Sequence, residues 1–344
     1  MRRNEAGTYE EFDFDDGDNK NSESYWRNLF YLEEQFSLEK SNTAYDFLID
    51  YSSVYNLYPA STPQPNPMSN KVLFIIDTLN KFNVKYTLDI FTYEGNAIIW
   101  GMSSSSSHKL VNIIVEPNPQ ATGPAIVFVA HHDVMNVHSN NVQDNGASVC
   151  NLLRLASLIK TSKDKSQRTL ILFTDSEEGG TRGAKHFAIK SKKNKSGTIS
   201  HDTYGEISAV INLELTGKGT EVWSDCHHGK DQDALHLSLE SVLKKPILKL
   251  RTPPSDAGAF RQYNFPVLCI GILPEDDITS QETWRICHSI NDTIEKCDGK
   301  DMENFTNFLF NITKNQILIN QPINLTINHG SDNINQSDKA GGQM

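Results

Sequence analysis

The stretch VAHHDVMNVHSNNVQDNGAS, residues 129–148, sets three histidines and two aspartates between an apolar run and a turn of small residues. A buried strand does not end this way without reason, because each such group must be paired or solvated. Further along, TLILFTD runs into Ser176-Glu177-Glu178, AVINLEL carries Glu214 near its end, and CHSINDT holds His288. Imidazole and carboxylate are ligands that suit zinc, and a bridging carboxylate can hold two such ions ~3.5–4 Å apart. Two histidines and three carboxylates would give each of two metals two ligands of its own and one shared. A bridging water would then fit between the ions, and a further carboxylate beside the pair could take its proton as it attacks a carbonyl.

Such groups need a frame. Val72, Leu73, Ile75, Ile76 and Leu79 predict a helix, as do Val149, Leu152, Leu153, Ala156 and Ile159, which recur at i, i+3, i+4 and i+7. Phe305, Phe308, Leu309 and Ile312 predict a late one. AIVFVA (125–130), TLILFTD (169–175), AVINLEL (209–215) and PVLCIGIL (266–273) read as strands buried on both faces. NAIIW (96–100) and LVNIIVEP (110–117) read as two more strands, joined by a flexible linker at SSSSS (103–107). Continuous apolar strands alternating with helices predict an α/β fold, a three-layer sandwich with a mostly parallel central sheet flanked by helices. In such sheets functional groups gather beyond the carboxyl ends of the strands, which is where these side chains fall.

The order HxD, DNGAS, EE after a strand, NLEL and CHSINDT resembles the co-catalytic zinc aminopeptidases of the MH clan, the bacterial leucyl aminopeptidases and glutamate-carboxypeptidase-like enzymes. The likeness runs over roughly residues 65–320. Successive ligand positions lie 13, 34, 36 and 74 residues apart, too close before the last histidine for an inserted dimerisation domain. The resemblance implies two zinc ions per chain. His131 and Glu214 would hold one, Glu178 and His288 the other, and Asp144 would bridge them. Glu177 would be the general base and Asp133 would orient His131. The implied activity is an exopeptidase, most specifically an aminopeptidase acting on a peptide or amino-acid amide. His132 and His138 are expected to bind no metal, and His227-His228 to be a solvated loop pair. Asp256, in SDAGAF (255–260), stands where the family has a serine–aspartate segment near the substrate. Two positions depart from the family: Glu214 replaces the usual Asp, and Cys287 stands where many members have a tyrosine whose hydroxyl steadies the oxyanion. A glutaminyl cyclase-like enzyme with one zinc, or a peptidase-like binding module without catalysis, are the rival readings.

Composition fits a soluble chain: 344 residues, 38% hydrophobic, mean hydropathy −0.47, with no run near the ~20 apolar residues that span a bilayer. Of the net charge of −11, five charges fall in residues 1–23, where eight acids meet Arg2, Arg3 and Lys20. With no basic stripe interleaved with aromatics, neither nucleic acid nor membrane is expected as a partner. Residues 1–40 are expected to be a disordered acidic leader, 41–320 the catalytic domain and 321–344 a polar disordered tail. The start lacks an apolar signal region, and the five cysteines show no paired spacing, so reduced thiols in the cytoplasm are expected. Side-chain specificity and oligomeric state have no signature here. The pocket is expected to be built by loops around 216–232 and 250–265.

Overall fold

A computed structural model describes residues 43–53, 69–99, 102–135, 141–163, 167–191, 204–226 and 229–315. It gives the backbone alone for 94–99, 102–106 and 108, and pairs Arg2–Arg3 with Tyr9–Glu10. The remainder of the leader, the tail 321–344, His138, His227 and His228 lie outside the described residues.

Eight strands form one sheet: β1 (Tyr86–Ile99), β2 (Met102–Val115), β3 (Ala125–His131), β4 (Thr169–Thr174), β5 (Ile207–Leu213), β6 (Glu221–Asp225), β7 (Leu248–Leu250) and β8 (Val267–Leu273). Their order is β1-β2-β4-β3-β5-β8-β6-β7. The central four, β4, β3, β5 and β8, are mutually parallel, while β1 pairs antiparallel with β2, β2 with β4 and β6 with β8, and β7 lies parallel to β6. Along β3 the side chains alternate between two cores. Ile126, Phe128 and Ala130 face one, and Ala125, Val127 and Val129 the other. Both faces are buried, which is why the strand reads as an unbroken apolar run.

Helices α1 (Ala44–Ser53), α2 (Asn70–Lys81), α3 (Ala147–Thr161), α5 (Lys230–Leu243) and α9 (Gly299–Lys314) contribute to the first core. Helices α4 (Arg182–Ser191) and α6 (Asp256–Gln262) contribute to the second. Short helices α7 (Asp277–Ser280) and α8 (Glu282–Ile286) precede the loop of His288. Local chemistry starts these helices. Ser69 Oγ accepts from the Val72 amide at α2, and Asp298 accepts from the amides of Lys300 and Asp301 at α9. On α9, Phe305, Phe308, Leu309 and Ile312 form the buried stripe. Truncating one such fully buried side chain, Leu309→Ala, should cost about 2–5 kcal/mol. Among the described residues, no helix is long and apolar enough to cross a membrane.

Two sequence expectations change. Ser103–Ser107 are no linker: they lie within β2, paired in register with Glu94–Ile98 of β1. Only Ile113–Val115 of β2 pair with β4, and the antiparallel register carries residues 111 to 102 of the hairpin past Thr174, the last residue of β4. The hairpin root is braced by α4. His186 stacks on Phe91 at 3.9 Å, Arg182 lies 3.9 Å from the Tyr93 ring, and Lys190 Nζ is 2.6 Å from Asp89. The second change concerns 216–232 and 250–265, which are not simply loops. β6, the start of α5, and α6 run through them.

Candidate metal centre

Because β4, β3 and β5 are adjacent and parallel, their carboxyl ends open on one edge. His131 is the last residue of β3, Glu177 and Glu178 follow β4, and Glu214 follows β5. Asp144 lies in a tight turn, Val142–Gly146, between β3 and α3, and His288 follows α8. The chain bends sharply to present them. Ser176, Leu215 and His288 itself have φ of 57°, 54° and 60°, a left-handed conformation that costs about 1–3 kcal/mol per residue outside glycine. Surrounding contacts must impose it, as is usual where side chains are aimed for chemistry.

The five residues that resemblance assigned as ligands fall into two groups. His131, Asp144 and Glu214 form one, and Asp144, Glu178 and His288 the other, with the ligand atoms of each group within 4.8 Å of one another. His131 Nε2 lies 3.1 Å from Asp144 Oδ1 and 3.7 Å from Glu214 Oε2. His288 Nε2 lies 2.9 Å from Asp144 Oδ2 and 3.1 Å from Glu178 Oε1. The two oxygens of Asp144 therefore serve one group each. Ligands ~2.0–2.1 Å from a tetrahedral zinc sit about 3.3 Å apart, within the observed spread. Glu178 Oε1 is buried and makes no hydrogen bond of proper angle despite its closeness to His288, as befits an atom aimed at an ion. The donor set fits zinc.

Charge argues the same way. The site gathers the acids Asp133, Asp144, Glu177, Glu178, Glu214 and Asp256 around His131 and His288. Burial, with Glu214, Asp256 and Asp133 nearby and only His131 opposing, pushes Glu177 up to about 10. Burial likewise raises Glu214, and drives Asp256 up to about 7. Burial alone would lower His131, yet Asp133, Asp144 and Glu214 hold it well above its ordinary value. Contacts with Asp144 and Glu178 raise His288 to about 10. These are the marks of a negative cavity suited to cations.

Asp133 ties two strand ends together. Its Oδ1 lies 3.3 Å from His131 Nδ1 and accepts from the Glu177 amide at 3.0 Å, while Oδ2 accepts from the Glu178 amide at 3.1 Å. The His131 contact has poor hydrogen-bond angle, so its effect is electrostatic. His132 stands apart from both groups, its Nε2 3.0 Å from the Val111 carbonyl at the hairpin root. Asp256 is fully buried. Thr174 Oγ1 donates to its Oδ2 at 2.5 Å, and its Oδ1 has no partner. Cys287 donates its thiol to the Thr283 carbonyl at 3.2 Å. Sequence reasoning missed Asn212, whose Nδ2 donates to Glu214 Oε1 at 3.1 Å, and Asn145, whose Nδ2 donates to the Leu213 carbonyl. It also missed Gln143 and Asp292. Asp292 lies within the quoted CHSINDT, four residues after His288, a spacing that could have drawn attention to it.

The sequence pattern of peptidase family M28 matches residues 112–313, more than half of the chain. The chain belongs to peptidase family M28. The match starts at Asn112, at the root of the β1–β2 hairpin, so α1, α2 and the projecting arm precede it. A stretch of 122 residues is 29% identical to the vacuolar membrane protease of Candida tropicalis, covering 33% of this chain but only 12% of that protein. Solved structures share the fold. The glutaminyl cyclase of Porphyromonas gingivalis has a TM-score of 0.60 at 17% identity, over 80% of this chain and 97% of that one. The aminopeptidase from Aneurinibacillus sp. strain AM-1 has 0.58 at 13%, over 78% and 92%. The LapA aminopeptidase of Legionella pneumophila has 0.59 at 16%, over 87% and 77%. M28 peptidases are peptide hydrolases that generally bind zinc, and the two groups around Asp144 are residues of this chain that could hold a metal ion.

Proposed function

We propose that this M28 peptidase is a two-zinc exopeptidase, an aminopeptidase that releases the N-terminal residue of a peptide or amino-acid amide. The observation that carries the reading is the pair of ligand groups sharing Asp144 through its two oxygens. In it, His131 and Glu214 hold one ion, Glu178 and His288 the other. Bound there, zinc supplies Lewis-acid polarisation of the scissile carbonyl and a water acidified for attack. Glu177 takes the proton of the attacking water and returns it to the leaving amine. Glu177 shares its partly buried setting with His131, Glu214, Asp256 and Asp133, beside both ligand groups. Asp133 fixes the backbone of Glu177 and Glu178 and braces His131 electrostatically. Cys287 is committed to the Thr283 carbonyl, so no phenol assists the oxyanion from that position.

The same surplus of acids supports a free amino terminus as the recognised group. Asp256, assigned to neither ion and with an unpartnered Oδ1, would attract an ammonium and repel a terminal carboxylate. A cytoplasmic setting is part of the proposal, supported by five free thiols. The test is a panel of amino-acid amides, N-blocked peptides and N-terminal glutaminyl peptides, assayed with zinc counted per chain. Hydrolysis of the amides but not of the N-blocked peptides, with two zincs and no cyclisation, supports the reading. Cyclisation of the glutaminyl peptides with one zinc, or no turnover and no zinc, would replace it.

A further inference from the structure

The turn that carries Asp144 is held from below by a residue that touches no ligand side chain. Asp292 is fully buried. Its Oδ1 accepts the Gln143 amide at 2.7 Å and its Oδ2 the Asp144 amide at 3.2 Å. Both oxygens are thus spent on two successive peptide N–H groups, which fixes the plane of the turn. Gln143 extends the link sideways. Its Oε1 accepts from the Gly217 amide at 3.2 Å, three residues after Glu214, and its Nε2 donates to the Lys296 carbonyl at 2.8 Å, in the segment after His288. A side chain at Gly217 would meet Gln143 Oε1 and Cys297 Sγ, and would have to displace them. On the other side, the Tyr51 ring closes on Gly146, and Lys71 Nζ lies 4.5 Å from that ring. Lys71 is itself buried, which lowers it to about 8, and Asp292 is foremost among the acids that oppose that fall.

We propose that Asp292 is a positioning residue for the bridging carboxylate: through the amides of Gln143 and Asp144 it sets the orientation of Asp144, and with Gln143 it locks together the three loops that carry Asp144, Glu214 and His288. This inference rests on the two-zinc reading. Asp144 sends Oδ1 toward His131 and Oδ2 toward His288, so a rotation of its carboxylate disturbs both groups at once. Loss of a ligand histidine disturbs chiefly one. Joint weakening of both sites is therefore the signature of Asp292, and a general loss of packing would not produce it.

The experiment uses the full chain, titrated by chelator competition to give two zinc affinities, with Asp292→Asn and Asp292→Ser as variants. Asparagine has one accepting oxygen where two amides must be met, and serine can meet one. Thr78→Val, which removes a buried hydroxyl bond to the Phe74 carbonyl within α2, is the control for lost stability. Both zincs are expected to bind 10–100-fold more weakly in the Asp292 variants. Excess zinc should restore hydrolysis, and Thr78→Val should lower Tm while leaving both affinities within twofold. Unchanged affinities, weakening of one zinc alone, an equal loss in Thr78→Val, or failure of both Asp292 variants to fold would overturn the proposal. A wild type that binds one zinc or none would instead remove the two-zinc reading beneath it, and this inference with it.

Discussion

The two halves of the candidate metal centre are built differently. The His131–Glu214 half is set into the sheet. His131 ends β3 at 2% exposure, Glu214 follows β5 at 8%, and Asp133 and Asn212 support them. In the Glu178–His288 half the Glu178 side chain is only 9% exposed, but His288 lies on the loop after α8 and its side chain is 41% exposed. One half is preorganised by the core. The other depends on the segment after α8 for its place. Glu177 and Glu178 divide between them although they are neighbours in sequence. The charges that act on Glu177 come from His131, Glu214, Asp256 and Asp133, whereas Glu178 approaches His288. Residues that follow one another where a strand ends leave the backbone in different directions, so adjacent acids can take different tasks.

That division gives the largest expected effect. Glu177→Gln keeps shape and removes the proton acceptor, so kcat should fall at least ~10²-fold with zinc content unchanged. Glu178→Gln should instead deplete zinc from the His288 half. Parallel kinetics and elemental analysis of the two variants check this, and near-normal turnover in Glu177→Gln would break the assignment.

Next in size is the order of metal loss. Under dilute chelator the zinc of the exposed, loop-borne half should leave first, at least ~10-fold faster than that of the sheet-borne half, since preorganised and supported ligands bind more tightly. A zinc-indicator time course should show two phases, with the fast one abolished in His288→Ala. A fast phase abolished by His131→Ala instead would reverse the comparison.

A stability difference should accompany it. His131→Ala removes the imidazole that keeps Asp144, Glu214 and Asp133 apart in a buried place, while His288→Ala opens a site already in contact with water. In metal-stripped protein the first should lower Tm by several degrees more than the second, as expected of about 1–3 kcal/mol of uncompensated buried charge. Equal melting curves would mean that the sheet-borne half is no more integrated than the other.

The smallest effect is expected from the leader. Deleting residues 1–40 should leave both halves loaded and Tm within a few degrees, because that segment lacks the apolar periodicity of a core element. An insoluble product or a large fall in Tm would show that the centre leans on it.

What the sequence reveals tracks how each feature is made. β3, β4, β5 and β8 are legible because burial on both faces writes an unbroken apolar run. The residues that gather around Asp144 are legible because polar groups at the ends of such runs have no ordinary reason to be there. The hairpin was hidden because Ser103–Ser107 carry no apolar alternation, and cross-strand pairing with Glu94–Ile98 holds them extended. β6 and β7 were hidden by being short, and α6 because Asp256 and the glycine at 258 obscure its stripe. Asp292 and Gln143 were hidden for another reason. They act on backbone amides and a carbonyl, and such partners leave no trace in side-chain types.

The central claim is that Asp144 joins two metal sites, and zinc counted per chain tests it most directly. Metal-replete wild type should hold two zinc ions, His288→Ala one, and both proteins should show the same far-ultraviolet circular dichroism. One zinc or none in the wild type would contradict the account.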